Sequence, residues 1–333
     1  MSLSSSSILA AVLGAALIAV IAALVVTETR SNAASGSTRG TRRARGARSA
    51  PTSAVTGREA LDSIDLGLRR LAGDCARADR AMPDVYALGY SGERLTLRLA
   101  GSDRTAPGAW TVDEDAEEWH LASDEIATYG PHEPPHASHP YALAVTLGLL
   151  DEQRVLVDLS RVSGAIAVSG DGGGVRELVR AMLSELITGP VGRYADVTLV
   201  GAVATTDMTA GLGLQSSRLH TVASLEEALT DAAYTATHPV VSGIDEPQVT
   251  QVFRLIEGHR PAGGQGHVSR LFVMEVAQYL DEKAGSRSLH EGDALLVVGD
   301  APDFAVRFTV GADGSVDTGP LGVRVDRHAG RVN

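Results

Sequence analysis

Residues 165–180 read Ala-Ile-Ala-Val-Ser-Gly-Asp-Gly-Gly-Gly-Val-Arg-Glu-Leu-Val-Arg. An apolar run rich in small and β-branched residues (Ala165–Ser169) meets a cluster of glycines at 170, 172, 173 and 174, and a helix is expected over Val175–Thr188. Strand, glycine-rich turn and helix is the layout of a loop that binds phosphate. Glycines let backbone amides curl around the anion, and the helix N-terminus favours negative charge. The working pattern GxxxxGK[ST] also needs a lysine to neutralise phosphate and a hydroxyl to hold magnesium. Here Val175 and Arg176 stand where those two belong, and the loop is one residue short. Three readings follow: a glycine turn kept for backbone geometry, weak nucleotide or anion binding through Gly170, Gly172, Gly173, Gly174 and Arg176, or a working nucleotidase. The missing Lys and Ser/Thr favour the first.

Downstream the chain alternates strands and helices. Strands are expected at Asp196–Val200, near Leu219–Val222, at Leu271–Val276 and at Ala294–Val298, with helices over Leu225–Thr237 and about Gln248–His259. Alternation of this kind implies a mostly parallel sheet with helices on its faces. Phe304–Val310, the turn 311–314 and Val316 suggest a closing hairpin. Leu271-Phe272-Val273-Met274-Glu275 has the form of an apolar strand ending in Asp-Glu, the Walker B element, but with Met274 in place of the metal-holding Asp. Glu275 retains a carboxylate able to polarise water.

Upstream, Leu61, Ile64, Leu68 and Leu71 recur at helical spacing within Arg58–Arg80, and Pro83 ends the helix. Val85–Tyr90 and Leu95–Leu99 alternate around Ser91-Gly92-Glu93, as in a hairpin with one buried face. Trp110 and Trp119 flank the acidic stretch Asp113–Glu118 and are expected to cover the edge of that sheet. Tyr141–Leu149 and Arg154–Leu159 are further apolar, strand-like runs.

The first 57 residues differ in kind. Ile8–Val26 is an unbroken apolar run of 19 residues, long enough as a helix to span a bilayer core of roughly 30 Å. The leader Met1–Ser7 carries no charged side chain, unlike a secretory signal peptide. Six arginines and no acid occupy 30–48, which by the positive-inside rule puts the rest of the chain in the cytoplasm. Those arginines set topology or touch anionic lipid. From 31 to about 57 no apolar periodicity is present, and a disordered linker is expected. Glu59–Asn333 carries 22 basic and 40 acidic side chains, a charge of −18 that argues against nucleic acid as its ligand.

Other candidate sites are sparse. Cys75 is the sole cysteine, which excludes an intramolecular disulfide. On an amphipathic helix it reads as a small packed side chain. His132, His136 and His139 sit in the proline-rich loop 131–140, where exposed loop histidines are the simpler reading than a metal site. Asp300, Asp303, Asp313 and Asp317 fit no EF-hand spacing and read as turn acids.

Glu177-Leu178-Val179-Arg180 is similar to the Glu-Leu-Leu-Arg that often follows the phosphate loop in FtsK/SpoIIIE-type ATPases, and Leu271–Glu275 resembles their Walker B strand. Blocks at Pro83–Leu88, Glu93–Leu97, Trp110–Val112, Pro140–Gly148, Val155–Leu159 and Ala167–Asp171 resemble the cytoplasmic middle region of actinobacterial single-pass membrane proteins. Larger relatives there also carry LysM modules and a bacterial transcriptional activator domain. The resemblance covers about Leu61–His238 and implies a membrane-tethered domain with a degenerate P-loop NTPase core. It carries no LysM or activator segment and so no cell-wall or transcriptional role. One lysine against 28 arginines suits a GC-rich genome such as that of an actinobacterium.

The expected architecture is α/β: a transmembrane anchor at 1–29, a basic linker at 30–57, a helix with a β-rich subdomain at 58–163, and a degenerate P-loop-like domain with a mostly parallel sheet at 164–333. The expected role is non-catalytic binding or scaffolding, with no cofactor and no metal, the bilayer and an unidentified protein as partners, and no nucleic acid. The alternatives are a membrane ATPase component of a secretion or DNA-transfer system and a tethered regulatory domain of a transcriptional regulator family.

Overall fold

Ile166–Val168, Leu271–Met274 and Leu295–Val297 are apolar at every position, Val197–Val200 at all but the buried Thr198, and all four runs are fully or almost fully buried, as strands covered on both faces must be. In the computed structural model these runs lie side by side as parallel strands. The structure describes residues 53–128, 141–162, 164–209, 212, 217–230, 269–287, 289–290, 292–300, 304 and 306–326. The anchor Ile8–Val26, the loop 131–140 with its three histidines, the helix expected at 248–259 and Asp303 lie outside them. No helix among the described residues is long and apolar enough to cross a membrane.

In chain order the helices used below are α1 (Ser53–Thr56), α2 (Arg58–Arg77), α3 (Ser123–Thr128), α4 (Gly172–Thr188) and α5 (Val276–Asp281). The strands are β1 (Val85–Tyr90), β2 (Arg94–Leu99), β3 (Thr111–Val112), β4 (Glu118–Ala122), β5 (Ala144–Leu150), β6 (Gln153–Asp158) and β7 (Ala165–Gly170). They continue as β8 (Ala195–Val200), β9 (Leu219–Val222), β10 (Ser269–Glu275), β11 (Ala294–Val298), β12 (Val306–Val310), β13 (Ser315–Asp317) and β14 (Arg324–Asp326). All 14 belong to one sheet, in the order β3-β4-β2-β1-β6-β5-β14-β13-β12-β7-β11-β10-β8-β9. The stretch from β12 to β9 is parallel. The rest is antiparallel, and the two parts join through β14, which meets β5 at Asp326 and Leu149.

Side-chain alternation assigns the two faces of the parallel part. Ile166, Val168, Val197, Leu199, Leu271, Val273 and Leu296 face α4. There they meet Val175, Leu178, Val179, Met182, Leu183 and Leu186, an apolar stripe at three- and four-residue spacing. Ala167, Val200, Phe272, Met274, Leu295 and Val297 face the other way, against Leu225, Ala228 and Phe304. Each buried Leu or Val of the α4 stripe contributes about 1.5–3 kcal/mol relative to exposure, so the helix is held by packing and needs little intrinsic propensity.

In the antiparallel part, Leu61, Ile64, Leu68 and Leu71 of α2 are buried, together with Leu88, Leu95, Leu97, Trp119 and Leu121 of the sheet. The hairpin of β1 and β2 forms at the expected place. Trp119 does not cover an edge. Trp119 is fully buried within β4, which pairs with β2, and its Nε1 donates to the Asp103 carbonyl at 2.8 Å. The acidic stretch is the turn between β3 and β4, where Asp113 Oδ1 accepts from the amides of Glu117 and Glu118. The last residues of the span expected as linker are folded. Ser53–Thr56 is a helical turn, and Val55 is buried.

Candidate functional site

The glycine cluster is built differently from the expectation. The helix does not wait for Val175; α4 begins at Gly172, so Gly172, Gly173 and Gly174 form its first turn. The connection from β7 to α4 is one residue, Asp171. This is too short to wrap an anion. Asp171 is the N-cap: its Oδ2 accepts the Gly174 amide at 2.7 Å, and its own carbonyl accepts the Val175 amide at 2.8 Å. A carboxylate at this point satisfies one of the helix's orphan amides and lies at the positive end of its dipole. That is the role a bound phosphate fills in a working loop.

The four glycines are not equivalent. Gly170 has φ +113°, and a Cβ there would stand 2.2 Å from the Val310 carbonyl oxygen of β12. The Asp171 amide donates to that same oxygen at 2.8 Å. A Cβ at Gly172 would meet nothing within 4 Å, and at Gly173 only the Asp171 carboxylate at 3.5 Å. Glycine is therefore required by the fold at 170 and not at 172 or 173.

Arg176 is exposed on the second turn of α4 and makes no ion pair with a described residue. Its neighbour Arg180 reaches Asp207 at 3.7 Å. Glu275 ends β10, exposed, and occupies the N-cap position of α5 without a side-chain hydrogen bond to it. The strand stops there, one residue short of the expected Val276. Met274 is fully buried in the apolar layer with Phe272 and Val297. The position where a metal-holding Asp is expected is thus part of the core.

Glu275 and the glycine turn share the carboxyl edge of the parallel strands, the side on which open α/β sheets bind ligands. Glu275 is level with Val298 of β11, and Val298 with Val168 of β7. One strand separates the two motifs, about 10 Å laterally. The same edge is partly filled by α5. Gly201, with φ +63°, and Gly299, with φ +120°, follow β8 and β11 directly, and a Cβ at either would collide with Gln278 Oε1 at 1.8 Å or Val276 Cγ1 at 2.4 Å. Gln278 Nε2 in turn donates to the Ala223 carbonyl at 2.9 Å. These two glycines and the Asp171 cap were not singled out in the sequence. An Asp directly before a helix is, however, a readable N-cap signal.

The remaining candidates resolve simply. Burial pushes the Cys75 thiol up to about 11, with Arg80 opposing the shift, so it is a packed, unreactive side chain. Asp313 Oδ1 accepts from the Ser315 amide and hydroxyl, Asp317 Oδ1 accepts from the Gly319 amide, and Asp300 pairs with Arg307 at 2.8 Å. Among the described residues no group of three or more His, Cys, Asp or Glu is placed to hold a metal. An open cavity of about 820 Å³ lies in the antiparallel part, away from the glycine turn, between Arg80, Met82, Pro83, Asp84, Asp103 and Pro107.

No family model and no curated protein matches the chain. Among solved structures it is similar to the monomer form of the pCW3 conjugation coupling protein TcpA with ATPγS, at 13% identity over 75% of this chain and 82% of that one, with a TM-score of 0.30. It is also similar to the cytoplasmic domain of the Thermomonospora curvata type VII secretion ATPase EccC, at 12% identity over 61% of this chain and a TM-score of 0.26. The chain spans 29% of that second structure.

Proposed function

We propose that this chain is a binding or scaffold protein with a non-catalytic NTPase-like core, held at the cell membrane by Ile8–Val26 with residues 58–333 in the cytoplasm. The observation that carries the non-catalytic reading is the Asp171 carboxylate bonded to the Gly174 amide at the start of α4. It sets a negative charge where phosphate would have to sit, and neither a lysine nor a hydroxyl follows to hold Mg-ATP. Met274 in the core removes the second metal-binding position. Function then resides in what the surface binds: a protein partner, with nucleic acid disfavoured by the charge of −18 over Glu59–Asn333.

Millimolar Mg-ATP should raise the melting temperature of the purified chain by no more than about one degree, whereas a ligand at 100 times its Kd adds about 2.7 kcal/mol and shifts melting visibly. If Mg-ATP does stabilise the chain and Arg176→Ala abolishes the effect, the guanidinium is acting as a phosphate clamp. The scaffold reading then gives way to a nucleotide-binding one. Hydrolysis on top of binding would favour the membrane ATPase alternative, with Glu275 as the residue that polarises water.

The location has its own test. Protease added to intact spheroplasts should leave residues 58–333 uncut, because the arginines that fix topology all follow the apolar run. Digestion of that part in intact spheroplasts would contradict it.

A further inference from the structure

Arg154 is fully buried in β6, an expensive place for a guanidinium unless its donors are used. Its Nε donates to the Val55 carbonyl at 2.9 Å and its Nη2 to the Thr56 carbonyl, so both bonds to α1 come from one side chain. Its Nη1 donates to Thr146 Oγ1 at 3.4 Å, and Thr146 passes its own proton toward Glu185 Oε1 at 2.9 Å. Glu185 belongs to α4, the helix that starts at the glycine turn. Ser53–Thr56 is thereby fastened to α4 through β5 and β6.

α1 has four residues, and Val55 is buried among its described side chains. A single turn of this length does not hold itself. β6, by contrast, is paired on both sides, to β1 and to β5. Loss of α1 removes no strand pairing. Thr146 and Glu185 stay beside Arg154 when α1 leaves, so its charge keeps a partner in both conditions.

From these contacts we propose that Arg154, Thr146 and Glu185 form a detachable latch on Ser53–Gly57. Closed, it holds Ser53–Gly57 against β6. Open, it frees the five residues 53–57, about 17 Å of extended chain, without unfolding α2 or the sheet. Displacement of Ser53–Gly57 is then resisted first at the hydrogen-bonded Arg154 guanidinium and passed to α4 through Thr146 and Glu185.

Amide hydrogen exchange on the full chain tests this, with protection compared between 53–57 and the segments α2, β5 and β6. In the unaltered chain 53–57 should exchange at least about tenfold faster than β6, through local opening. Arg154→Lys keeps the charge and loses the fork, and should accelerate 53–57 by about another tenfold while α2, β5 and β6 stay protected. Thr146→Val, a milder change that removes the bridge to Glu185, should accelerate the same residues by a smaller factor, and it decides the matter if Arg154→Lys fails to fold. Exchange of 53–57 only in step with α2, β5 and β6, in the unaltered chain or either folded variant, would make Arg154 a core determinant and no latch. Unchanged 53–57 exchange in the folded variants would overturn the proposal as well.

Discussion

Gly170→Ala should destabilise the chain by about 3 kcal/mol or more, while Gly172→Ala and Gly173→Ala leave stability unchanged or raise it by about 0.5 kcal/mol. The added methyl group at 170 must tolerate φ +113° and a carbonyl oxygen 2.2 Å away, on the backbone of β12, where no rotamer change can relieve it. At 172 and 173 it meets open space or an ordinary contact, and alanine is the better helix former. Urea unfolding midpoints of the three variants check this. Equal losses at all three positions would mean that the glycine run is kept for something other than the geometry of this fold.

Arg218→Ala should cost about 3 kcal/mol, on the basis of roughly 1.5–3 kcal/mol for hydrogen bonds to a charged group. The Arg218 guanidinium donates to the carbonyls of Leu186 at 3.1 Å, Gly192 at 2.6 Å, Ala195 at 3.2 Å and Ile187. Leu186 and Ile187 belong to the last turn of α4, whose carbonyls have no partner within the helix, and a cation there also suits the negative end of the dipole. Arg218→Lys should recover less than half of the loss, because a single ammonium cannot reach carbonyls spread around a planar fork. A loss below about 1 kcal/mol in thermal unfolding would show that water replaces the guanidinium and that α4 is held by its apolar face alone.

What could be read in the sequence was whatever periodicity carries. Apolar runs located β7, β8, β10 and β11, and the spacing of Leu61, Ile64, Leu68 and Leu71 located α2, because burial on one or two faces leaves a local pattern. β4 escaped because Glu118-Trp119-His120-Leu121 is short and half polar, with only Trp119 and Leu121 turned inward. α4 starts three residues before the expected Val175, which the sequence hides because glycine argues against helix. The Asp171 side chain, by capping the Gly174 amide, offsets that penalty. α1 could not be read at all, since its attachment comes from Arg154, 99 positions from Val55. The union of both parts into one sheet rests on Asp326 meeting Leu149, a long-range pairing that leaves no local signature. At the site, the absence of Lys and Ser/Thr was plain from the sequence, but the internal carboxylate that occupies the anion's place emerged only from the hydrogen bond to Gly174.

The Asp171 carboxylate holds the start of α4 as its own anion, and the amides of Gly172, Gly173 and Gly174 report on it directly. Their nuclear magnetic resonance shifts and exchange rates should be followed while Mg-ATP is raised to several millimolar. All three should stay where they are, with the Gly174 amide protected throughout by its bond to Asp171. Saturable shifts of these amides with new protection at Gly172 and Gly173 would contradict it, because phosphate would then be binding where the protein's own carboxylate is said to sit.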